Sequence, residues 1–485
     1  VNENIDLPDE KISILEGTSF SVGAFSNNIL NGLVFANLTF FYIEKLGADP
    51  ISIGIAWLIF MIWNTINDPI FSYIMDNTRT KIGRRIPYIR YGSVFYGLAF
   101  IFSWFPIAAV GDEMGLFFNF LLVLFLLDTI FTFVGCCFFC LPNEMAVTAK
   151  GRSTISVYLS IATFVSVILI FALPILLLTD QEGIPPIFHP LMVLLGISCA
   201  LGLFISSFGI KENMFAQLQP HEPFIEGLRL TLKNQAFWIY MIPAFCIALI
   251  LPVLSTGILY YLDYVIIGQD IELLLIGLGS GVLIGVFLNL YLIDKIKPKK
   301  TTILNFSLAT IGFIFLFLLG RDASLAALPG VPLGFGFVGL LLVGPVVMGD
   351  IIDNDEYITG KRREAVYGGV NAIVTKPAIS IANWLFVSVI VMFGFISPIK
   401  IAEGVLEKQP QPPEALAGIL FAMCVVPAIC LGISAIIMHL YPLDGPEWLK
   451  KKKLIIEGQE RKEQEYLRKL SLEAKQFLNK KKKKD

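Results

Sequence analysis

The sequence predicts an all-α membrane protein with twelve transmembrane helices in two six-helix bundles. Three observations lead there. Of 485 residues, 55% are apolar and only 16% charged, with a mean hydropathy of +0.73, whereas a water-soluble domain carries about 25% charge. Apolar windows long enough to cross a hydrocarbon core, about 20 residues at ~1.5 Å each, recur twelve times. The longest polar stretch inside the chain, 211–236, falls between the sixth window and the seventh. The period-2 alternation of an outer-membrane barrel is absent.

In chain order, residues 1–18 are polar and acidic and lack the layout of a signal peptide. The windows follow near 19–43, 51–75, 88–108, 116–141, 154–178 and 188–210, then 236–262, 271–293, 302–320, 324–348, 366–394 and 415–440. This division gives a first bundle over 19–210, a linker over 211–235, a second bundle over 236–440 and a basic tail over 441–485. Within the linker, Phe224, Ile225, Leu228 and Leu232 share one face of an expected amphipathic helix lying at the membrane surface. Seventeen Lys and Arg before the tail fall on the faces shared with the N-terminus, against four on the opposite faces. Both termini are therefore expected in the cytoplasm, in a multi-pass protein of the plasma membrane.

Composition also narrows the function. A net charge of −2 excludes a generally basic nucleic-acid binder. The seven Cys all fall in apolar windows, and Cys137–Cys140 has CxxC spacing without a second pair or a His beside it, so small buried thiols are expected rather than a metal centre. No hydrolase, metalloprotease, nucleotide or dinucleotide motif stands out, and neither an enzyme nor a bound cofactor is expected.

Ionisable groups within spans cost roughly 2.5–3.5 kcal/mol each on insertion scales, so each calls for a reason. Asn64, Asn67 and Asp68 stand at i, i+3 and i+4 before Pro69, which places two amides and a carboxylate on one helical face. These are hard oxygen donors suited to a small cation, and the carboxylate can also carry a proton. Lys376 lies about 15 Å into its span at ~1.5 Å per residue, too deep for easy snorkelling, and Asp68 is its expected partner. Asp128, midway along the fourth span, has three readings of equal weight: substrate contact, proton holder, or a polar bridge between helices.

Four stretches resemble one family. They are Gly23-Ala-Phe-Ser-Asn-Asn28 with Phe40-Phe-Tyr-Ile-Glu-Lys-Leu-Gly47; Trp63-Asn-Thr-Ile-Asn-Asp-Pro69 through Asp76 to Gly83-Arg-Arg-Ile-Pro87; Tyr260-Tyr-Leu-Asp-Tyr-Val265; and Gly349-Asp-Ile-Ile-Asp-Asn-Asp-Glu-Tyr-Ile-Thr-Gly-Lys-Arg-Arg363, followed by Lys376. Together they resemble the glycoside–pentoside–hexuronide:cation symporters, the melibiose-permease branch of the major facilitator superfamily. The resemblance implies the major facilitator fold, cation-coupled uptake by alternating access, cation ligands on the second helix, and sugar contacts on helices 1, 4, 5 and 11. The match is partial. The first of two helix-2 carboxylates in the melibiose-permease pattern is Asn64 here, the helix-1 Lys-Asp pair aligns with Asn27 and Asn28, the helix-4 sugar carboxylate falls near Val134, and the helix-5 Arg falls near Leu159–Ser160. The helix-11 Lys is kept as Lys376, with Asn371 before it.

The reading that results is a secondary transporter of a small polar solute, a sugar or glycoside, coupled to sodium ion or proton and working as a monomer in the bilayer without nucleic acid. Cation coupling is assigned to Asn64, Asn67, Asp68 and Lys376, and substrate contact to Asn27, Asn28, Asp128, Asn371 and Trp384. Opposite charges in the two halves suggest a cytoplasmic gate made of Asp76, Arg84, Arg85, Asp350, Asp353, Arg362 and Arg363. The rivals are a lysolipid or other amphiphile symporter of the same fold, and a transport-inactive receptor or scaffold.

Overall fold

The structure, a computed structural model, describes residues 12–78, 80, 82–146, 149–179, 183–211, 231–267, 269, 271–360, 363–402, 405–458 and 461. The first half opens with α1 (Ile14–Phe40), started by a capping box between Ser13 and Glu16. A π turn, Phe41–Lys45, prolongs it. α2 (Pro50–Asn77) has Pro50 in its first turn, and the Asp49 carboxylate accepts from the Ser52 amide at 2.8 Å. α3 (Ile86–Ser103), α4 (Glu113–Met145), α5 (Ala149–Leu178) and α6 (Phe188–Gly209) complete this half.

The second half begins with α7 (Gln235–Tyr260), again prolonged by a π turn, Tyr261–Val265. It continues through α8 (Glu272–Leu319), α9 (Ala323–Thr359) and α10 (Glu364–Met392). An antiparallel hairpin of β1 (Ile399–Ala402) and β2 (Val405–Glu407) follows, then α11 (Pro413–Leu420), a π turn Phe421–Val425, and α12 (Val426–Met438). A last helix runs over 445–458. The end of the bundle that carries the hairpin is called the hairpin end below, and the opposite one the tail end.

Among the described residues nine helices are long and apolar enough to cross a membrane. α1, with Asn27, Asn28, Asn31 and Asn37, and the short α3, with Arg90, are more polar. The expected windows at 271–293 and 302–320 lie in one run, α8, which breaks at Lys297 (φ 76). Pro298 supplies the break, because its ring disfavours helical geometry in the residue before it. One expectation is corrected: the strand hairpin makes the fold mostly rather than wholly helical. The acidic stretch from Asp350 to Glu356, which lies between the windows at 324–348 and 366–394, is the end of α9. The linker helix with Phe224, Ile225 and Leu228 lies outside the described residues.

Large apolar side chains such as Ile62, Phe164, Phe287 and Met392 point outward, as a lipid-facing surface requires. Inside, packing depends on close backbone approach. Gly277, Gly281 and Gly285 of α8 lie against Ala327, Val331 and Phe335 of α9, and a Cβ at Gly281 would collide with the Val331 carbonyl. Such small-residue stripes let membrane helices pack without a hydrophobic drive between them.

Candidate functional site

Where α2, α4 and α10 meet, the membrane interior holds a cluster of charge. The i, i+3, i+4 face of α2 presents Asn64, Asn67 and Asp68, and α4 answers with Asp128 and Thr132, also one turn apart. From α10, Lys376 Nζ reaches Asp68 Oδ1 at 2.6 Å, with both side chains under one-fifth exposed. Thr132 Oγ1 donates to the same oxygen at 3.3 Å. The fully buried Asn67 donates its amide to Asp128 Oδ2 and, at 3.0 Å, to Thr132 Oγ1. Its own Oδ1 is buried without a hydrogen-bond partner. Asn64 is buried one turn before Asp68.

The balance is two carboxylates against one ammonium. Sequence reasoning counted a single helix-2 carboxylate and grouped Asp128 with the substrate residues. The geometry joins Asp128 to Asn67, so a second carboxylate enters the cluster from α4. The signal that could have found it is the Asp128–Thr132 spacing, a polar i, i+4 face on an otherwise apolar helix.

The other expected substrate residues are spread out. Asn28 donates to Ser166 Oγ at 3.2 Å and Thr163 Oγ1 at 3.4 Å on α5. The Asn27 carbonyl accepts from the Tyr96 hydroxyl of α3 at 3.4 Å, and its side-chain oxygen is buried without a hydrogen-bond partner. Asn371 is half-buried on α10, one turn before Thr375, whose hydroxyl donates to its carbonyl. Trp384 lies over Gly54 of α2. At ~1.5 Å per residue it stands about 20 Å along the helix from Asn371, so the structure does not bring these two together.

Towards the hairpin end a polar knot ties the halves, and sequence reasoning missed it. The buried Asn383 Oδ1 accepts from Thr39 of α1 and from Thr256 of α7, both at 3.2 Å. Trp57 of α2 donates to Thr39 at 2.9 Å. Asn383 stands seven residues after Lys376, on the same helical face, and that spacing was the available clue.

At the tail end four of the expected gate residues form ion pairs within their own halves. Arg84 and Arg85 reach Glu144 of α4 at 2.5 and 3.1 Å. Arg363 clasps Asp355 through two nitrogens, at 2.6 and 3.0 Å. Asp350 is held by Lys452 of the final helix. Asp353 is half-buried on α9, whereas Arg362 and the side chain of Asp76 lie outside the described positions.

The fold is shared with solved transporters. A bacterial homologue of the human lysosomal transporter Spinster, in an inward-facing and unoccupied conformation, superposes with TM-score 0.64 at 15% identity, covering 89% of this chain and 98% of that one. A D-xylose–proton symporter superposes with TM-score 0.56 at 13% identity, over 77% of this chain and 90% of that one. In sequence, the isoprimeverose transporter of Lactiplantibacillus pentosus is 22% identical, over 89% of each chain. A glucuronide carrier protein homolog of Escherichia coli is 21% identical over 91% of this chain and 95% of its own length. A family model described as MFS/sugar transport protein matches residues 19–445, nearly everything between the polar ends. The matched stretch takes in the α2–α4–α10 cluster and every helix that builds it, and the chain belongs to the MFS/sugar transport protein family, as a multi-pass transporter of the plasma membrane and not an enzyme.

Proposed function

We propose that the chain carries a sugar or glycoside by alternating access, in symport with sodium ion or proton, through twelve spans with both termini in the cytoplasm. The observation that carries this reading is the Lys376–Asp68 contact at 2.6 Å, because it joins the two halves across the seam that must open and close. Relatives named for isoprimeverose and glucuronide support the solute class. A cation bound by Asp68, Asp128 and the unpartnered Asn67 oxygen competes with Lys376 for the carboxylates, and a proton on either carboxylate does the same. Occupancy then biases the seam, which is the differential interaction a coupled cycle requires.

Asn28 and Asn371 are the substrate contacts in this reading, and the Asn28 amide would exchange its bonds to Ser166 and Thr163 for sugar hydroxyls. The tie at the hairpin end supports an inward-facing state. In the opposite state Arg84, Arg85 and Asp76 close against Asp350, Asp353, Arg362 and Arg363.

The test is uptake by full-length protein in liposomes, screened over glycosides and lysolipids, under imposed sodium or proton gradients. Asp68→Asn is expected to abolish accumulation while leaving passive exchange of the solute. Accumulation by that variant at the wild-type level removes the cluster from coupling. Uptake of lysolipids alone turns the reading to the amphiphile alternative.

A further inference from the structure

The first helix of each half ends in a π turn over related sequence, Phe40-Phe-Tyr-Ile-Glu-Lys45 in one and Tyr260-Tyr-Leu-Asp-Tyr264 in the other. The two turns meet. The rings of Phe40 and Tyr260 lie edge to face, 5.1 Å between centres. The Tyr264 hydroxyl donates to the Glu44 carboxylate. Lys408, one residue past β2, lies 2.9 Å from Asp263 Oδ1 and donates to the Asp263 carbonyl at 2.6 Å. Its ammonium also stands 4.2 Å from the centre of the Tyr264 ring. Glu44 and Asp263 are both buried, and the second Glu44 oxygen has no hydrogen-bond partner. Lys45 lines the same small cleft as Glu44, Asp263 and Lys408.

The hairpin belongs to the second half but reaches over the first. Lys400 Nζ donates to the Val110 carbonyl at 2.9 Å. Leu406 packs on Gly47, where a Cβ would stand 2.9 Å from its methyl, and the Lys400 stem packs on Gly111 in the same way. Both glycines have left-handed backbone, with φ 71 and 77, and their missing Cβ leaves room for the strand side chains.

We propose that the β1–β2 hairpin is a strap fastened across the seam, and that Glu44, Tyr264 and Lys408 are its lock. The proposal rests on the alternating-access reading above. The lock is built to be undone. A buried carboxylate with one donor is stabilised only while that donor stays, and loss of the donor leaves a desolvated charge. The Lys408 side chain is one-third exposed, so water competes with the buried Asp263 carboxylate for its ammonium. Release of Tyr264 from Glu44 therefore favours the state in which this end takes up water.

The experiment measures spin-label distances in full-length protein in lipid nanodiscs, against the unsubstituted chain labelled in parallel. One label pair, at Ile107→Cys and Ile401→Cys, reads the hairpin end; a second, at Ile82→Cys and Ile358→Cys, reads the tail end, and all four positions are exposed. Tyr264→Phe, which removes one oxygen, and Lys408→Gln are each expected to add a longer population to the first pair and a shorter one to the second. A longer hairpin-end distance with an unchanged tail end keeps the strap and overturns alternating access. A hairpin-end distance that stays at the wild-type value in both variants overturns the strap.

Discussion

Lys376 and Asp68 are each partly withdrawn from water and each answer for the other's charge. Removing one partner of such a pair leaves an uncompensated charge, which costs more than the pair itself contributes. Lys376→Gln and Asp68→Asn are each expected to lower the melting temperature in detergent, and the double variant should recover part of the loss. A coupling energy of about 0.5–3 kcal/mol from the double-mutant cycle is the expected size for groups in contact. Additive losses would mean that the two charges do not feel each other. Asp128→Asn keeps the shape but removes the second carboxylate. It should weaken sodium- or proton-dependent stimulation of uptake at least as much as it alters solute affinity; a change in affinity alone returns Asp128 to the substrate site. The α2 face was legible because polar residues one turn apart in an apolar span signal themselves. Asn383 and Thr39 were not, since a single amide or hydroxyl in a span is common and only the packed seam shows what it meets.

The helices show where apolar windows fall short as a guide. A window reports where apolar residues run, not where hydrogen bonding stops, so α4, α5 and α9 run past their windows and carry Glu144, Arg152 and Asp350 with them. The hairpin escapes for a related reason: β1 and β2 are too short to present a period to a sequence reader. Two substitutions test the helical account. Gly281→Leu drives a side chain into the α9 backbone at Val331 and is expected to destabilise by about 1–3 kcal/mol or more, read as a loss of monodisperse protein on heating. Lys297, the described non-glycine residue with positive φ, should accept Gly without loss, whereas Lys297→Val should lower the melting temperature. Equal melting of the two Lys297 variants would mean that the break relaxes freely.

For the molecule as a whole, the family was legible in four short stretches of sequence. What composition could not give is the asymmetry between the ends, which depends on contacts hundreds of residues apart, such as Thr39 with Asn383. The final helix shows a further asymmetry. Trp448 and Ile455 are buried, and Lys452 pairs with Asp350, so 445–458 is seated on α9 and touches the second half. Deleting 445–485 should therefore lower the melting temperature by uncovering Asp350; an unchanged transition would show the contact to be idle. The seating also gives the molecule a handle. A fluorophore placed at exposed Lys451 or Leu454 would report on the second half through its seat on α9, so a second dye on the first half turns each cycle into a change of energy transfer, visible in single molecules without knowing the solute.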